Sequence, residues 1–141
     1  MIVFDSSIYA SIIVGDEFYE KCLRAFRTYL SKGIATLDLA YAEITNTLWK
    51  HILLLRRIPR EEAKYRTKII RQLLSKTSTI YTCEELLEET IEIAIHHSIT
   101  IHDALYLSLA KELNTKLVTT DKALYQKLKN TPMEGLISLI K

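Results

Sequence analysis

Four acidic residues, Asp5, Glu43, Asp103 and Asp121, carry the chemistry this sequence could perform. Asp5 closes the opening apolar run Met1-Ile2-Val3-Phe4, and Asp121 closes Leu117-Val118-Thr119-Thr120. Glu43 and Asp103 stand in the first turns of two predicted helices. Carboxylates gathered without basic partners repel one another. Such a group persists if cations neutralise it or if some members stay protonated. Hard divalent cations, which prefer oxygen ligands, are the simpler answer, and they imply metal-assisted hydrolysis of phosphodiesters.

The elements around these acids explain how they could meet. Short apolar runs at residues 1–5, 34–37 and 116–120 read as buried strands, with weaker candidates at 79–82 and 136–140. Between them the pattern predicts helices near 6–13, from Asp16 to Leu30, from Leu39 to Leu55 behind Asp38, from Arg60 to Leu74 after Pro59, from Glu84 to His97, from Thr100 to Leu113, and from Asp121 to Leu128. Gly33 reads as a helix stop. Strands alternating with helices predict one α/β domain over residues 1–141, a parallel sheet covered on both faces. In that arrangement strand C-termini and helix N-termini share one edge, where ligands bind. All four acids arrive there. So would Asp16, Asp38, Glu84 and Glu85, because helix N-termini favour acids in general. Geometry alone does not choose among them.

Each acid also has a structural role open to it. Asp5 and Asp121 could be helix caps, and Thr100 with Asp103 resembles a capping box. Leu39, Ala42, Trp49 and Leu53 are read as a core stripe beside Glu43, where a carboxylate is costly unless satisfied. The small residues Ala104, Ser108 and Ala110 predict close packing of their helix on the sheet.

Composition narrows the class. The chain has 141 residues, 48% of them apolar, with 3 Gly and 2 Pro. That is enough for a real core and too few turn residues for a many-stranded β-sandwich. Cys22 and Cys83 form no metal-ligand pattern and suit a reduced, cytosolic setting. No apolar run is long enough to cross a membrane, and the N-terminus lacks a signal-peptide pattern. The net charge is only +2, but residues 50–76 hold nine basic and two acidic residues. Arg56, Arg57, Arg60 and Lys64 in this segment are candidates for gripping a polyanion, against the plainer reading of a solvated helix face. His96-His97 and His102-Asp103 could belong to a histidine–aspartate phosphohydrolase site, but such enzymes are all-helical. There is no Gly-rich phosphate loop and no nucleophile elbow. Tyr19, Phe26, Tyr29 and residues 53–55 are candidate contact surfaces, with core packing as the competing role.

Taken in order, Ile2-Val3-Phe4-Asp5-Ser6-Ser7, Ala42-Glu43-Ile44-Thr45-Asn46-Thr47-Leu48-Trp49-Lys50, Asp103-Ala104-Leu105-Tyr106-Leu107 and Leu117-Val118-Thr119-Thr120-Asp121 resemble the PIN domain, in particular the VapC-type ribonuclease toxins. The likeness spans nearly the whole chain. It implies an α/β/α sandwich, a Mg²⁺- or Mn²⁺-dependent endoribonuclease acting on RNA, a homodimer, and a VapB-like antitoxin that enters the active-site groove. It selects Asp5, Glu43, Asp103 and Asp121 as the catalytic set, with Asp5, Asp103 and Asp121 on the metal and Ser7 and Thr119 in support. His102 stands where relatives often carry an aromatic. A non-catalytic PIN-like module that binds RNA or protein is the alternative reading. A nuclease acting on flapped or single-stranded DNA is a more remote one, because this chain lacks the length for the extra elements of such enzymes.

Overall fold

A computed structural model describes residues 1–140. Side chains in a strand point alternately to opposite faces, and the three central strands here each feed two cores. In β1 (Ile2–Phe4), Ile2 and Phe4 join one apolar cluster and Val3 the other. Ile34 opposes Ala35 and Leu37 in β2 (Ile34–Leu37), and Val118 opposes Leu117 in β4 (Leu117–Thr119). With β3 (Ser78–Tyr81) and β5 (Ile137–Leu139) they form one sheet in the order β3-β2-β1-β4-β5, every pairing parallel.

Helices α1 (Ser6–Val14), α2 (Tyr19–Tyr29), α3 (Leu39–Trp49) and α4 (Ala63–Thr77) cover one face. They contribute Ile8, Phe26, Ile44 and Ile70 to its core. Helices α5 (Leu87–His97), α6 (Ile101–Glu112) and α7 (Lys122–Leu128) cover the other with Ile93, Leu107 and Leu124. This is the three-layer α/β/α sandwich expected from the sequence. Among the described residues, no helix is long and apolar enough to cross a membrane.

Several local expectations change. The helix expected from Asp16 starts at Tyr19, because the Asp16 carboxylate is taken by the Ser11 hydroxyl and the Phe18 amide. Gly33, at φ 95°, makes the turn into β2 and accepts the Ile2 amide at 3.0 Å, which sets β1 beside β2. The helix expected to reach Leu55 loosens after Trp49 into a π-helical turn, Lys50–Leu54. The stripe Leu39–Ala42–Trp49–Leu53 is not the buried one. Ala40, Ile44 and Leu48 are buried, and Trp49 is 48% exposed. On α2, by contrast, Phe26 is core and Tyr29 packs against it, so neither is a free contact surface. Leu53, Leu54 and Leu55 are exposed.

Candidate active site

The sheet order fixes where a site can form. β2 and β3 lie to one side of β1, β4 and β5 to the other. The chain therefore leaves β1 toward one face and reaches β4 from the other, so the topological switch falls between β1 and β4. Asp5 follows β1 directly, and Asp121 lies two residues beyond β4.

Asp5 caps α1. Its Oδ1 accepts the Ser7 amide at 3.0 Å and the Ser7 hydroxyl at 2.5 Å. The same Ser7 Oγ accepts the Thr120 amide at 3.0 Å, which ties the loop after β1 to the loop after β4. Asp121 caps α7 by accepting the Leu124 amide on Oδ1, and its own amide donates to the buried Thr119 hydroxyl. Asp103 donates its amide to Thr100 Oγ1 at 3.1 Å, one half of the expected capping box. Glu43 Oε1 accepts the Tyr106 hydroxyl at 2.6 Å, while His102 Nδ1 stands 3.7 Å from Oε2. The structural and chemical readings of Asp5 and Asp121 are thus compatible. Capping holds each carboxylate at the switch point.

Electrostatics shows that the four acids share a neighbourhood. Burial pushes the Asp5 carboxyl up to about 7. Hydrogen bonds from Ser7 and Thr119 pull it back, and the charge of Asp103 adds to the rise. Asp103 is raised as well, first by burial and then by Asp121 and Glu43, with Thr100 and His102 opposing. Asp103 is the common neighbour of the other three. Among the described residues, none of the three aspartates forms a salt bridge.

Two of the competing acids, Asp38 and Asp16, have other partners. Asp38 accepts the Cys83 amide and thiol, and Asp16 is spent on the turn before α2. A cleft of about 380 Å³ opens beside Glu43, with Ser6, Asn46, Thr47 and His102 in its wall. The basic candidates are not part of it. Arg56, Arg57, Arg60 and Lys64 are all exposed. Arg60 borders a separate hollow with Trp49 and Leu53, and Lys64 borders another with Lys68 and Arg71. Arg66 is held by Glu62 and the Ile13 carbonyl.

Sequence reasoning missed Tyr106. The signal was present, since a tyrosine inside a predicted buried helix needs a partner for its hydroxyl. It also lies three residues after Asp103, on the same helical face.

A family model for the PIN domain matches residues 2–129. The chain belongs to the PIN domain family. Ribonuclease VapC3 of Pyrobaculum aerophilum is 32% identical over 128 residues, covering 89% of this chain and 93% of that protein. Two solved structures share the PIN fold across the full length of this chain. A toxin–antitoxin complex from Klebsiella pneumoniae superposes with a TM-score of 0.70 at 15% identity, covering 98% of its matched chain. VapBC2 from Rickettsia felis, solved with a fragment of promoter DNA, superposes with a TM-score of 0.64 at 18% identity, covering 100% of its matched chain.

The donor set of this PIN domain is tested by its geometry. Among the described residues, no three Asp, Glu, His or Cys side chains close into a ready-made ligand cage. Mg²⁺ does not require such a cage. Such an ion keeps several waters and takes one or two carboxylates together with substrate phosphate oxygens. A buried carboxylate raised to about 7 with a second acid beside it is also a site that a cation would relieve.

Proposed function

We propose that this PIN domain is a divalent-metal-dependent endoribonuclease that hydrolyses RNA phosphodiesters, and that it is the toxin of a VapBC-type toxin–antitoxin pair. One observation carries the reading: Asp5 and Asp121 flank the topological switch, and the Asp103 carboxyl between them feels the charges of Asp121 and Glu43 and adds its own to the rise at Asp5. The likeness to Ribonuclease VapC3 supports the choice of substrate. Asp5, Asp103 and Asp121 would hold Mg²⁺ or Mn²⁺. The bound ion supplies Lewis-acid stabilisation of phosphate charge and a more acidic water. Glu43 orients the attacking water and takes up its proton. Ser7 and Thr119 fix the Asp5 carboxylate. Arg56, Arg57, Arg60 and Lys64 are exposed cations beyond the cleft and hold the RNA backbone there, so affinity falls as salt rises.

Two apolar surfaces support protein partners. Leu87, Ile91 and Ile95 form an exposed stripe along α5, Ile95 at 70% exposure, with Ile101 nearby. We assign this stripe to a homodimer contact. The hollow floored by Trp49, Ile52 and Leu53 suits an apolar segment of a VapB-like antitoxin reaching toward the cleft. The two free cysteines are consistent with work in the reducing cytoplasm.

The test is cleavage of labelled single-stranded RNA with Mg²⁺ or Mn²⁺ against EDTA, beside Asp5→Asn. Metal-dependent cleavage that leaves 5′-phosphate and 3′-hydroxyl ends, and is lost in the variant, is the expected result. Products ending in 2′,3′-cyclic phosphate would overturn the mechanism. RNA binding without cleavage in both proteins would leave the binding-module reading in its place.

A further inference from the structure

Glu43 reaches the cleft from α3 on a long, flexible side chain, and its orientation is set from another helix. The Tyr106 hydroxyl on α6 donates to Oε1 at 2.6 Å. The ring is 3% exposed. Two helices therefore meet at one carboxylate, and the residue linking them lies behind the cleft wall. Burial and the nearby Glu43 charge hold the phenol firmly protonated, so it acts as a donor and not as a base. Its engagement of Oε1 leaves Oε2 turned toward His102 and the cleft.

We infer that Tyr106 is a positioning residue that acts through Glu43, clamping one carboxylate oxygen so that the other faces the substrate. A tyrosine in that place solely for packing would need only its ring. Phenylalanine would then serve equally well, and the hydroxyl would not have to be set 2.6 Å from a carboxylate oxygen. The inference rests on the ribonuclease reading for its catalytic meaning, but the clamp itself is testable without it.

The test is a double-mutant cycle on the full chain with Tyr106→Phe, Glu43→Ala and both together. Tyr106→Phe keeps the buried ring, and a thermal melt checks its fold. Its kcat on single-stranded RNA is expected to fall about ten- to a hundredfold, the range seen when the hydrogen-bond partner of an active-site ligand is removed. KM and RNA affinity should stay within about twofold, because no substrate contact is lost. In the Glu43→Ala background the same change should cost nothing further. 4-Aminophenylalanine at position 106, which keeps a donor in place, should restore most of the rate. Unchanged kcat in a folded Tyr106→Phe protein would overturn the inference, and so would losses that multiply in the double variant. If the wild-type chain cleaves no RNA, the Glu43 carboxyl ¹³C resonance decides the matter. A shift in Tyr106→Phe sustains the clamp, and an unmoved signal overturns it, whatever becomes of the ribonuclease reading.

Discussion

Phe4 and Asp5 are neighbours in the chain and sit in opposite kinds of environment. Phe4 points into a cluster with Tyr9, Phe26 and Tyr29, edge to face, with ring centroids 5.1–6.0 Å apart. Every contact there favours the folded chain. Asp5 is 7% exposed and stands beside a second raised carboxyl, where burial penalises its charge. The first region supplies stability. The second spends it to keep a carboxylate where a cation could bind. A strand end this short serves both because alternate side chains leave it in different directions.

Substitution at Asp5 should separate the two most sharply. Asp5→Asn is expected to abolish metal-dependent cleavage and, in EDTA at pH 8, to raise stability, on the order of 2 kcal/mol. Chemical denaturation against a cleavage assay reads both effects, and a variant that is less stable and still active would erase the contrast. Phe26→Ala should do the reverse. It loses about 3–5 kcal/mol of stability, while the protein that remains folded keeps its kcat.

A titration then sharpens the comparison. The folded-state value of Asp5 lies near 7, above the unfolded 3.8, so the native state binds the proton more tightly. Metal-free stability is therefore expected to decline as pH rises from about 4 through 7, with the slope removed in Asp5→Asn. Denaturation midpoints across that window check it, and a midpoint that climbs with pH would contradict the assignment to burial. Adding Mg²⁺ should flatten the decline, because a cation favours the ionised form. The smallest effect is expected at Thr119. Thr119→Val deletes one hydroxyl that supports Asp5 and accepts the Asp121 amide, and should cost about tenfold in activity with a stability change near 1 kcal/mol.

The sequence makes one of these regions more legible than the other. Apolar runs ending in an acid mark β1 and β4, and their alternation predicts a sheet buried on both sides. The caps at Asp5, Thr100 and Asp121 follow from residue type and place. The helical phase of α3 does not. Trp49 and Leu53 look like core by hydrophobicity, yet Ala40, Ile44 and Leu48 take the buried face, and the turn after Trp49 loosens. The acid edge could be predicted as an edge, but the choice among its acids needed either a family likeness or contacts between distant segments. Asp38 is drawn to Cys83, 45 residues away, by tertiary proximity that no local pattern encodes. The Tyr106–Glu43 pair spans 63 residues for the same reason.

The hydrogen bond from the Thr120 amide to Ser7 Oγ joins residues 113 positions apart. During synthesis, a ribosome that has released the first hundred residues has released two of the four acids. β1 then still waits for β4 as its second neighbour in the sheet. The site is completed only when the loop carrying Asp121 docks, so the order of translation itself delays the appearance of a complete acidic centre. Parallel pairing over such separations is slow to form. That delay would give a partner made alongside this chain time to meet it before the acidic centre is complete.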